Sequence, residues 1–145
     1  MDLVIDLYTI TATFPVSEKF GLVSQIRRAG VSICSNIAEG AARSHFKEFV
    51  QFLYISLGSV AEVETQRDIA LRLGYLQSTD SRQEMLDRIR RMLVGLIKRV
   101  TRNVKRVRVL RRRRAKASVF SSLVTEDENV IKKVELTKIF AIFVI

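Results

Sequence analysis

Seven apolar residues, Leu86, Ile89, Leu93, Leu96, Val100, Val104 and Val107, recur at gaps of three or four. That is the period of an α-helix, and near-heptad spacing suits helices packed at about +20° in a bundle. A helix with such a seam needs other helices to bury it against. Ahead of the seam, Ser81-Arg82-Gln83-Glu84 matches a capping box, in which a serine hydroxyl and a glutamate three residues on satisfy each other's free amides. One proline and six glycines among 145 residues leave few breakers, which favours long helices over a turn-rich β-fold.

Three further helices precede this one. Leu3, Val4, Leu7 and Ile10 predict a short helix over residues 2–12, stopped by Phe14-Pro15-Val16-Ser17. Ser17 offers an N-cap for a second helix over about 18–39, with Leu22, Ile26, Ala29, Ile33 and Ile37 on one face and Gly40 as a left-handed C-terminal cap. Ser44 offers the next N-cap. The third helix, about 45–73, carries Phe46, Phe49, Leu53, Leu57, Val60 and Val63 on its apolar face. Gly58 in its middle predicts close approach by a neighbouring helix, because glycine weakens a helix interior without some such compensation. Gly74 ends it, with Tyr75 folding back over Ile69 or Ala70. Short connections make neighbours antiparallel. The expected fold is all-α: an antiparallel up-down four-helix bundle over residues 1–110, followed by a basic run and C-terminal tail over 111–145.

Charge is distributed unevenly. Residues 1–81 hold seven Lys/Arg and nine Asp/Glu, a net of −2; residues 82–116 hold fifteen and two, a net of +13; residues 117–145 hold three and four, a net of −1. A block of one sign this dense points to a polyanion or an acidic membrane surface. Arg88, Arg91, Lys98, Arg99, Arg102, Lys105 and Arg106 avoid the apolar seam, and no acid follows Asp87 until Glu126. Solvated helices usually interleave acids for i,i+4 support. These cations are therefore the primary candidates for phosphate contact, and Arg27 and Arg28 are secondary ones, with an ion pair to Glu62 or Glu64 as their structural alternative. Phosphate contacts position a protein without reading sequence, and no aromatics interleave with the fourth-helix cations to stack single-stranded bases.

Other chemistry finds little support. One histidine, His45, lacks the partner set of a catalytic base, and Cys34 reads as a small core residue rather than a reactive thiol. One Cys and one His cannot build a structural zinc site, and no E-x-x-H pair or phosphate-cradling glycine loop is present. No enzyme activity, metal or other cofactor is expected. Asn36 and Glu39, polar in an apolar helix, read as hydrogen-bonding residues that fix helix register or close the helix end beside Gly40, with a direct RNA contact as the alternative. A single cysteine, no basic leader before the first apolar residues and no apolar run of roughly 18 residues predict a cytoplasmic protein with no membrane span.

The second helix also carries a recognisable string: Phe14-Pro15, Glu18, Phe20-Gly21-Leu22, Gln25-Ile26-Arg27-Arg28-Ala29, then Val31-Ser32-Ile33 and Ser35-Asn36-Ile37-Ala38-Glu39-Gly40. Glu48-Phe49, Phe52-Leu53, Leu57-Gly58-Ser59 and Glu62 continue it. Over about residues 2–100 this resembles the family encoded by intervening sequences in bacterial 23S rRNA genes. The resemblance implies a four-helix bundle. Through the similar accessory variability determinant of diversity-generating retroelements, it also implies a basic homopentamer that binds nucleic acid and partners a reverse transcriptase. The chain departs from the family in a late start to its first helix and in a longer, more basic end.

The functional expectation is a non-enzymatic RNA-binding bundle, assembled as a homo-oligomeric ring. The alternatives are a scaffold for a reverse transcriptase, or a basic protein held at a membrane surface with help from the apolar segment Lys138-Ile139-Phe140-Ala141-Ile142-Phe143-Val144-Ile145.

Overall fold

A computed structural model describes residues 1–77 and 82–116, with 111–116 as helix backbone only. Four helices follow in order: α1 Asp2–Thr11, α2 Leu22–Ala42, α3 Phe46–Arg72 and α4 Arg82–Lys116. Among the described residues there is no strand. The predicted four-helix bundle is the fold. Ser81, the side chains of Arg111–Arg114, and the tail with its apolar 138–145 end lie outside the described residues.

Cross-helix partners fix the directions. Thr11 and Tyr8 of α1 meet Arg27 of α2, and Leu7 lies against Gly30. Ser32, Ile33 and Gly40 of α2 meet Ser59, Ser56 and Phe52 of α3. Glu64 and Arg67 of α3 meet Arg90 and Gln83 of α4. In each pair, numbers rise on one helix as they fall on the next, so the bundle runs up-down-up-down. The α4 helix also touches α1, closing the ring of neighbours.

Most of the predicted faces turn inward, but Leu96 is only half-buried and Ile97 takes the core position beside it, and Leu22, Phe46, Leu57, Val104 and Val107 lie at the partly covered edge. Leu3 and Leu7 of α1, Ile26, Ala29, Ile33 and Ile37 of α2, Phe49, Leu53, Val60 and Val63 of α3, and Leu86, Ile89, Leu93, Ile97 and Val100 of α4 are all buried. Burying each large aliphatic or aromatic side chain contributes roughly 1.5–3 kcal/mol before conformational entropy is charged against it.

The ends of α2 differ from the sequence expectation. Pro15 leads into a 3-10 turn, Val16–Glu18, and α2 begins only at Leu22 after Gly21. No side-chain cap comes from Ser17; instead Oε2 of Glu18 accepts the Leu22 amide at 2.9 Å, satisfying one of the free N–H groups. Oε1 of the same carboxylate accepts the Tyr75 hydroxyl at 3.5 Å, and the Tyr75 ring lies 5.5 Å from that of Phe14. Gly40, expected as a left-handed cap, is not one. It is buried within α2, which continues to Ala42. A Cβ at Gly40 would lie 2.6 Å from the Phe52 Cβ and 3.1 Å from Phe49 Cδ2, so this glycine lets α3 come close.

Gly58 behaves in the opposite way, with no close approach where one was expected. It is exposed, and among the described residues nothing lies within 4 Å of where its Cβ would be, so none of the other described helices approaches it. Ser44 likewise gives way to His45 at the N-cap of α3, without a side-chain cap bond. The predicted end of α3 does form. Gly74 takes φ +74, its amide bonds Leu71 O at 3.1 Å, and the Tyr75 amide bonds Ala70 O at 2.9 Å. Those two bonds make a Schellman motif.

Candidate nucleic-acid interface

The α4 helix positions the candidate cations by periodicity alone. At about 100° per residue, Arg88, Arg91, Lys98, Arg99, Arg102, Lys105 and Arg106 fall within an arc of roughly 120° centred opposite the buried seam. All seven are exposed. From Arg88 to Arg106 the strip runs about 27 Å along the axis, at 1.5 Å per residue. The only acids of α4, Glu84 and Asp87, sit at its start, where the positive end of the helix dipole favours them. Asp87 accepts the Gln83 side-chain amide at 3.4 Å.

Arg90 belongs to α4 but not to this strip. It points to the α3 flank and is ion-paired with Glu64, whose side chain is only 14% exposed. Sequence reasoning left Arg90 out of the candidate set and missed its partner, because only the register between α3 and α4 brings the two together.

The secondary cations are placed differently. Arg27 is half-buried in the α1–α2 contact: Nε donates to Thr11 Oγ1 at 2.8 Å, Nη2 donates to the Tyr8 carbonyl at 3.2 Å, and the guanidinium stacks 4.6 Å from the Tyr8 ring centroid. Arg28 is exposed and donates to Gln25 Oε1 at 2.6 Å. The alternative ion pair to Glu62 or Glu64 does not form; Arg27 turns to α1, and Glu64 is taken by Arg90.

Asn36 sits in a buried-edge chain of hydrogen bonds. Its Nδ2 donates to the Ser32 carbonyl at 2.8 Å and to Ser32 Oγ at 2.9 Å. Ser32 Oγ and Ser59 Oγ are 2.8 Å apart, and Ser59 Oγ donates to the Ile55 carbonyl at 3.2 Å. Each hydroxyl has one proton, so with Ser59 donating to the Ile55 carbonyl Ser32 is the donor to Ser59, and the chain then runs one way from α2 into α3. Ser56 Oγ, fully buried, donates to the Ile33 carbonyl at 3.0 Å. Glu39 is exposed and ion-paired with Arg43 one turn on, with the Arg43 guanidinium 5.2 Å from the Phe52 ring. These residues hold α2 to α3 and close the α2 end.

Cys34 is half-buried, and burial pushes its thiol above the usual value, partly offset by the Met1 amino group. Among the described residues, no group of His, Cys, Asp and Glu clusters to hold a metal ion, and no helix is long and apolar enough to cross a membrane.

Comparison with curated proteins gives no match. The profile of the family described as 23S rRNA-intervening sequence protein matches residues 1–95, which spans α1 to α3 and the first part of α4. With the bundle and the matched residues together, the chain belongs to the 23S rRNA-intervening sequence protein family.

Proposed function

We propose that this protein is a non-enzymatic RNA-binding module that meets the phosphate backbone with the outer face of α4. The observation that carries this reading is the strip of seven exposed cations opposite the buried seam, with no acid in α4 beyond Asp87. Such a strip repels itself, and a polyanion relieves that repulsion while releasing counterions.

The binding copies form a homo-oligomeric ring, a pentamer by resemblance, and several strips on one assembly raise the effective concentration for a single RNA. The outer face of α3 suits the contact between copies. Tyr54 is 58% exposed and Ile55 45%, and both flank the open Gly58. A reverse transcriptase docking on the same face is the second reading, and size determination of the purified chain separates the two: a monomer in solution leaves that face to a different protein.

The test of RNA binding is a salt titration with a structured RNA. Affinity falls steeply and linearly in log–log form as salt rises, with a slope set by the number of phosphates neutralised. No binding at low salt, or a flat response, overturns the reading.

A further inference from the structure

A glycine lies in the middle of the cationic strip. Gly95 is exposed, and among the described residues nothing lies within 4 Å of where its Cβ would be. Among the described residues no packing contact calls for a glycine there, whereas Gly40 and Gly30 each face a neighbour that a Cβ would crowd. Glycine in a helix interior lowers helix stability relative to alanine, and one of its uses is to let a ligand approach the backbone closely.

The cations are arranged around it. Arg91 and Arg99 lie four residues before and after Gly95, Arg88 and Arg102 seven before and after, and Lys98 three after. One and two helical turns to either side therefore present positive charge on the same face, about 6 Å and about 10 Å from Gly95 along the axis. Between them the surface is low, because Gly95 carries no side chain. No aromatic residue occurs in α4. The face offers charge and close access without a base-stacking platform, so it fits the sugar–phosphate ridge of a duplex better than splayed single-stranded bases.

Building on the proposed RNA-binding role, we infer that Gly95 is a notch in which the phosphodiester backbone of an RNA duplex crosses α4, clamped by Arg88 and Arg91 on one side and by Lys98, Arg99 and Arg102 on the other. The crossing point is thereby fixed on the helix, and charge alone does not determine affinity.

The test uses the full chain and a short fluorescently labelled RNA duplex, read by anisotropy at low salt, with helicity and thermal midpoint measured alongside. Gly95→Ala raises the thermal midpoint, as alanine does in a helix, yet weakens duplex binding. Gly95→Leu stays folded and weakens binding about tenfold or more, the equivalent of about 1.4 kcal/mol. The double variant R91A/R99A also weakens binding. If Gly95→Leu binds like the wild type while R91A/R99A does not, the notch is wrong and the RNA-binding reading stands. If R91A/R99A also binds like the wild type, both fall.

Discussion

Arg90 of α4 is ion-paired with Glu64 of α3, although it stands between two arginines of the same helix that face solvent. The pair separates structural charge from available charge. Glu64 is largely enclosed, so removing Arg90 strands a carboxylate. A fully buried pair broken on one side costs about 3–5 kcal/mol, and the 46% exposure of Arg90 reduces that to about 1–2 kcal/mol. Arg90→Ala is therefore expected to lower the urea midpoint and leave RNA affinity near the wild-type value. Arg102→Ala does the reverse. Equal loss of RNA binding in both variants would contradict this division.

Two glycines predict substitutions of opposite sign. Gly40→Ala drives a Cβ into the Phe52 Cβ and the Phe49 ring, close to backbone that cannot yield cheaply, and is expected to destabilise by about 1–3 kcal/mol. Gly58→Ala meets none of the described residues and is expected to stabilise the monomer by about 0.5–1 kcal/mol. Urea denaturation of the two variants, run at a concentration where the chain is monomeric, checks the order.

The hydrogen-bond chain from Asn36 through Ser32 and Ser59 has a direction, and an acceptor cannot replace its first donor. Asn36→Asp sets a carboxylate against the Ser32 carbonyl where an amide N–H now donates. Repulsion disfavours the ionised form in the folded state and so raises the folded pKa of the new aspartate above its unfolded value of about 3.9. Stability is thus present at low pH and lost as pH rises through the folded value. Asn36→Asp is expected to be less stable than Asn36→Ala at neutral pH and to recover part of the difference on acidification, as followed by circular dichroism.

Cys34 gives a second pH-dependent signature. Burial raises its folded pKa above the ordinary 9.0, so the unfolded chain ionises first as pH rises. The thiol's contribution to stability is complete below pH 9 and declines above it. The thiolate is also the reactive form, so alkylation of the native protein at pH 8 is expected to be slow and to accelerate on unfolding in urea. Equal rates in the two states would show an open thiol.

Most of the bundle was legible because its faces repeat. Leu86, Ile89, Leu93 and Val100 are buried as their spacing requires, and the seven cations opposite them are exposed for the same reason. The Gly74–Tyr75 stop was legible because only a left-handed residue makes that turn. What escaped was set by register between helices. Gly40 has the sequence look of a cap and is a packing glycine, because Phe49 and Phe52 of α3 lie against it. Arg27 looks free on a helical wheel and is held by Thr11 and Tyr8. Glu18 took over the capping task from Ser17, because Pro15 set a 3-10 turn ahead of α2.

Glu18 joins two connections that are far apart in sequence. One oxygen holds the first amide of α2, and the other receives the hydroxyl of Tyr75 from beyond α3. Opening of either connector removes one of the two anchors of this carboxylate and leaves the other oxygen bonded, so the lead-in to α2 and the segment after α3 are tied at this end of the bundle through one side chain.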